Sequence, residues 1–130
     1  MNIEQKELLL KDLCCRLPYG VKASTKVGGN IKISFIGEDI IIGEDGDSYD
    51  ISFITPYLYP LSSMTEEQKK EYTHIVNYIS SDDTDNWKEG EFIYVEQLNR
   101  LMHFYHKNHF DYRDLIELGL AIDCTNLNIY

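Results

Sequence analysis

Residues 20 to 55 constrain the fold most, because turn residues recur there between short runs of β-forming residues. Val21, Ala23, Thr25 and Val27 alternate with Lys22, Ser24 and Lys26, the period of a half-buried strand. Gly28-Gly29-Asn30 supplies the positive φ that a tight hairpin needs. Ile31, Ile33 and Phe35 alternate with Lys32 and Ser34 in a second strand. Gly37-Glu38-Asp39 turns again, Ile40-Ile41-Ile42 forms a third strand, and Gly43 to Asp47 turns into a fourth at Tyr49 to Ile54. Loops this short make sequential antiparallel pairing the default. The expectation is a small β-meander of about four strands with one face in need of cover.

Helices supply that cover. Leu8, Leu9, Leu13 and Leu17 recur at near-helical spacing, so Ile3 to Leu17 reads as a packing helix ended by Pro18 and Gly20. Thr65 and Gln68 form a capping box, and Tyr72, Ile75, Val76 and Ile79 give the helix that follows one buried face, with His74 off it. SSDDTDNWKEG, residues 80–90, reads as an acidic linker whose Trp87 folds back over the core edge. Periodicity leaves Phe92 to Val95 as either helix or strand. Leu98, Leu101, Met102 and Tyr105 share one helical face, and Asn108 stops that helix in a left-handed conformation. Asp111 then reads as the N-cap of a two-turn helix, with Phe110 and Leu115 spaced as a hydrophobic staple and Gly119 as its end. Leu120-Ala121-Ile122 follows as a short buried strand or an extended tail. The predicted class is α+β, a single domain over 1–130, with an N-terminal helix and two to three C-terminal helices on the meander.

Two blocks carry a resemblance. HFDYRDLIELGLAID, from His109, and PYLYPLSSMTEE, from Pro56, resemble the markers of a family of short proteins of unknown function. That family is encoded in gut Bacteroides-group genomes, phages and mobile elements, and its members typically read close to HFDYRGLIEKGLALD and PYLRP-x-SSMTEE. This chain departs at Tyr59, where the family usually has Arg, and at Asp114, where it usually has Gly. The resemblance implies a phage or mobile-element setting and no particular activity.

The formal net charge of −10 argues against general nucleic-acid binding, which rests on neutralising phosphates, and suits an acidic protein docking on a basic partner. No apolar run is long enough to span a bilayer. The amphipathic start, MNIEQKELLLKDLCCRL, lacks the features of a signal peptide, so the expected compartment is the cytoplasm. Cys14, Cys15 and Cys124 form no C-x-x-C pair and are expected as reduced thiols.

TPYLYPLSSM, residues 55–64, reads as a stiff loop. Pro56 and Pro60 flank Tyr57 and Tyr59, and tyrosines on stiff backbone lose little entropy on binding. Glu44, Asp45, Asp47 and Asp50 have only partial calcium-loop spacing and read as a solvated hairpin tip. His103 and His106 lie three apart and offer a weak metal motif, while Arg100, Lys107, His109 and Arg113 gather cations around Phe104, Tyr105 and Tyr112. No GxSxG, phosphate-cradling loop or H-E-x-x-H occurs, so no catalytic residue and no cofactor is nominated. The expectation is a non-catalytic accessory protein that binds another protein through Tyr57, Tyr59, Tyr112 and Arg113. The alternative is a metal- or nucleic-acid-dependent activity centred on residues 100–113, with His103 and His106.

Overall fold

The computed structural model describes residues 1–80 and 87–130, with the side chains of 78–94 left aside. The fold is α+β: among the described residues, three helices accompany a mostly antiparallel sheet. Helix α1 spans Ile3–Arg16, and a single 3-10 turn, Leu17–Tyr19, carries Pro18. It starts at Ile3 as expected, on a capping box that the sequence reading passed over: Asn2 accepts from Gln5 N at 2.8 Å, and the Gln5 side chain accepts from Asn2 N at 3.2 Å.

Strands β1 (Lys22–Thr25), β2 (Asn30–Ile36), β3 (Ile41–Gly43) and β4 (Ser48–Tyr49) make the expected meander, paired antiparallel in sequence order. Two corrections follow. The expected fourth strand over 49–54 is interrupted, because Asp50 accepts from Ser52 N at 2.9 Å and from Ser52 Oγ at 2.6 Å, closing a 3-10 turn over Ile51–Phe53. The stretch read as a loop is strand β5 (Ile54–Pro60). It pairs antiparallel with β1 through residues 54–56. Through residues 57–60 it pairs in parallel with two later strands, β6 (Phe110–Asp111) and β7 (Ile122–Asp123). Pro56 falls where one ladder gives way to the next and Pro60 ends the strand, positions that need no donated N–H.

Helix α2 spans Glu66–Ser80 and opens on the predicted box, with Gln68 N donating to Thr65 Oγ1 at 3.2 Å and Thr65 N to Gln68 Oε1 at 2.8 Å. Helix α3 spans Trp87–Lys107 and packs on α2, so Phe92 to Val95 is helical. The stretch 80–90 expected as a linker is corrected at both ends, since Ser80 closes α2 and Trp87 to Gly90 open α3; residues 81–86 and the Trp87 ring fall outside the described residues and side chains. The buried face of α3 is shifted from the one expected. Phe104, Tyr105 and His106 are buried, Leu101 and Met102 half-buried, and Leu98 exposed. The helix ends one residue later than expected in conformational terms. Asn108 Nδ2 donates to Phe104 O at 2.9 Å, and His109 takes the positive φ of 59°.

No helix follows Asp111. Its carboxylate instead accepts from Arg113 N, Leu115 N and Ile116 N at 3.2, 3.0 and 2.9 Å, and the chain bends at 112–113 and turns over 115–119. Asp114 sits at φ 59°, which breaks helical geometry where the second helix was expected. The expected staple is absent as well: Phe110 and Leu115 belong to different cores. One core joins α1 to the meander through Leu9, Leu13, Ala23, Ile31, Ile33, Ile41, Ile54 and Leu58, with Leu115 beneath. The other joins α2 to α3 through Ile75, Phe104 and Tyr105, with Phe110. Tyr59 of β5 packs against the second while Ile54 and Leu58 belong to the first.

Candidate functional site

The site begins with a charged pair on an apolar stripe. Leu9, Asp12, Leu13 and Arg16 lie at helical spacing on α1, so Asp12 and Arg16 are carried into the core, both 0% exposed. Burial at that depth demands partners, and Arg16 meets the demand through Nε and Nη2 while its buried Nη1 has none. Arg16 Nε donates to Asp12 Oδ2 at 2.7 Å, and Arg16 Nη2 donates to Phe110 O at 2.7 Å. The second carboxylate oxygen, Oδ1, accepts from Arg113 Nε at 3.1 Å. One carboxylate therefore stands between two guanidiniums, leaving a local cationic excess in a chain of net charge −10.

Tyr112 is held by the same groups. The guanidinium carbons of Arg16 and Arg113 lie 5.2 and 5.1 Å from its ring centroid. The ring stacks on Tyr105, centroids 4.9 Å apart, and its hydroxyl meets His106 Nε2 at 2.7 Å. Tyr19, from the turn after α1, closes the rim: its hydroxyl lies 2.9 Å from His103 Nδ1, and its ring stands 5.5 Å from that of His106. Burial first, and then the cationic charge of Arg16, holds the His106 pKa below the usual imidazole range. Burial likewise raises the Tyr112 phenol. Neutral imidazole against neutral phenol is the resulting state near pH 7.

Of the residues nominated from sequence, Tyr112, Arg113, His103 and His106 are brought together here. Tyr57 and Tyr59 are not. Tyr57 is 7% exposed and donates its hydroxyl to Asn30 Oδ1 at 2.6 Å, so its ring is part of the sheet and not a free contact surface. Tyr59 is half-buried, its ring 6.1 Å from that of Tyr130. Asp12, Arg16 and Tyr19 were missed. The signal for the first two was present, as opposite charges four apart on the leucine stripe of α1.

His103 and His106 do not converge on one point. Each directs one ring nitrogen to a tyrosine hydroxyl. Among the described residues, no group of three or more His, Cys, Asp or Glu is placed to hold a metal ion. The hairpin carboxylates serve their own turns, with Asp45 Oδ1 accepting from Asp47 N at 3.1 Å. Cys14 and Cys15 are exposed and Cys124 is buried, where burial pushes its thiol up to about 11.

A second polar cluster lies behind the site. His109 stacks on Tyr130, ring centroids 3.5 Å apart and 9° from parallel. The Tyr130 hydroxyl accepts from Lys22 N at 2.8 Å and donates to Tyr57 O at 3.0 Å, bridging β1 and β5 just past their last direct pair. Comparison with protein-family models, with curated proteins and with solved structures finds no match. Among the described residues, no helix is long and apolar enough to cross a membrane.

Proposed function

We propose that the protein is a non-catalytic accessory protein that binds another protein, of the kind carried by phages and mobile elements, and that it acts in the cytoplasm. The observation that carries this reading is Tyr112, half-buried, stacked on Tyr105 and with the guanidiniums of Arg16 and Arg113 at 5.2 and 5.1 Å from its ring centroid. A tyrosine and an arginine held in place by a buried ion pair, with Tyr19 and His103 at the rim, lose little freedom when a partner arrives. Such residues are the ones that anchor protein interfaces. The family relation is part of the proposal. Asp114 occupies a left-handed conformation, which suits the glycine that the resembled family usually has there.

The test is affinity recovery of tagged protein from its host, with mass spectrometry of what accompanies it. A protein recovered at constant ratio with wild type, and at least tenfold depleted with Tyr19→Ala and Arg113→Ala, supports the reading, provided both variants keep the wild-type circular dichroism. Equal recovery with wild type and both variants ends it. The alternative, a metal- or nucleic-acid-dependent activity on His103 and His106, gains support if stoichiometric metal or nuclease-sensitive material is lost on replacing both histidines.

A further inference from the structure

Strand alternation sends Ile31, Ile33 and Phe35 to the same face of β2, yet Phe35 is 51% exposed while the two isoleucines are buried. The cause is a bulge. Ile33 lies opposite Gly43 and Phe35 opposite Ile42, so β2 spends one residue more than β3 between those pairs. Ser34 is the extra residue, and its Oγ lies 3.2 Å from both Ile42 O and Gly43 O. Beyond the bulge Ile36 takes the inward role against the α1 core, and Phe35 is turned out beside the half-buried Ile42.

Phe35 is not alone there. A Cβ added to Gly37 would stand 2.9 Å from Ile40 Cγ2 and 3.2 Å from Phe35 Cε1, so both side chains close over that glycine. Ile40 is itself 39% exposed. Phe35, Ile40 and Ile42 thus form a preformed apolar plate on the face of the hairpin turned away from α1. Around it the chain from Glu38 to Asp50 carries six carboxylates and no Lys, Arg or His. All six are exposed, and Lys32 pairs with one of them, Glu44, at 3.4 Å.

We propose that this plate is a docking surface for a basic polypeptide segment bearing an apolar or aromatic anchor. An anchor residue covers Phe35 and Ile40, and lysines or arginines on either side meet Glu38, Asp39 and Asp47. Charge decides among the occupants. Nucleic acid and anionic lipid are repelled by the carboxylates, and a second copy placed across a two-fold axis would set the same carboxylates against each other. A bulge that everts an aromatic side chain is a local cost that contact with a partner repays. The plate lies on β2 and β3, separated in strand order from β6 and Tyr112 by β1 and β5, so it stands whether or not the Tyr112 surface binds.

The experiment is an NMR titration of 15N-labelled protein with a twelve-residue peptide alternating Lys and Val and carrying one Phe, at physiological salt. Saturable shifts confined to residues 33–49 are expected. Phe35→Ser with Ile40→Ser should weaken binding at least tenfold at unchanged charge, and Glu38→Lys with Asp39→Lys, both in an exposed turn that tolerates them, should do the same. Shifts spread over Glu66, Glu67 and other distant carboxylates, or equal affinity in the variants, would overturn the proposal as mere charge attraction. Self-association in sedimentation that Phe35→Ser abolishes would overturn it in favour of a second copy.

Discussion

Asp12 is the residue on which the most groups depend. It neutralises Arg16 in the core and orients Arg113 at the surface, and through them it fixes the Tyr112 ring. A buried ion pair adds little stability compared with apolar residues of the same volume, because both charges are desolvated. Removing one partner is different, since it strands the other charge. Asp12→Ala is expected to lose about 3–5 kcal/mol in urea denaturation. Asp12→Leu combined with Arg16→Met should recover most of that loss while moving the Tyr112 ring. Equal stability of wild type and Asp12→Ala would show that Arg16 finds another counter-charge. The network also explains why α1 read as a plain packing helix. Leucine periodicity gave its face correctly, but periodicity weighs apolar residues and passes over a charged pair lying among them.

At the scale of elements, the turns after Asp111 show where sequence reasoning stops. A cap residue, a staple spacing and a closing glycine all favoured a short helix; Gly119 does close the turn at φ 74°, but Asp111 and the Phe110–Leu115 spacing are used otherwise. Asp111, itself in strand β6, does accept backbone N–H groups, from Arg113, Leu115 and Ile116, and so spans five residues instead of opening a helix. Local signals specify which groups bond and leave open which element surrounds them. Strand β5 fails for a related reason: two prolines imply a loop unless the pairing edge changes beside them, and that depends on strands more than fifty residues away. The starts of α1 and α2, the meander and the α+β class were legible because they rest on local periodicity and capping, whereas the start of α3 at Trp87 lies inside the stretch expected as a linker. Asp114 gives the element-scale prediction. At φ 59°, Asp114→Gly should be neutral or stabilising by up to about 1 kcal/mol, and Asp114→Val should cost about 1–2 kcal/mol, read from thermal melting. Equal melting of the two variants would mean the turn relaxes to accept a branched side chain.

For the whole molecule, burial of imidazole couples folding to acidity. His109 is pushed down to about 4, first by burial and then by the charges of Arg16 and Lys22, and His106 is lowered in the same direction. The unfolded chain takes up protons on these groups near the ordinary value of 6.5, and the folded chain resists until far lower pH. Stability is therefore complete above about pH 6.5 and falls as pH drops from there toward 4. The urea midpoint measured across that window should slope accordingly. His109→Asn, which suits the positive φ at that position, should flatten the slope even if it lowers the plateau. An unchanged slope would assign the acid sensitivity to other groups.

The pairing of β5 has a consequence during synthesis. Its partners β6 and β7 are made about 50 residues later, which at roughly 5–20 residues per second is a wait of several seconds. For that time a nascent chain holds Ile54, Tyr57, Leu58 and Tyr59 in a segment without its parallel neighbours. Unsatisfied strands of this kind recruit other chains emerging nearby. Pro56 and Pro60, which hid the strand from a reading of the sequence, leave two of its seven residues without an N–H to donate, the kind of interruption that disfavours such pairing until residues 110–123 arrive.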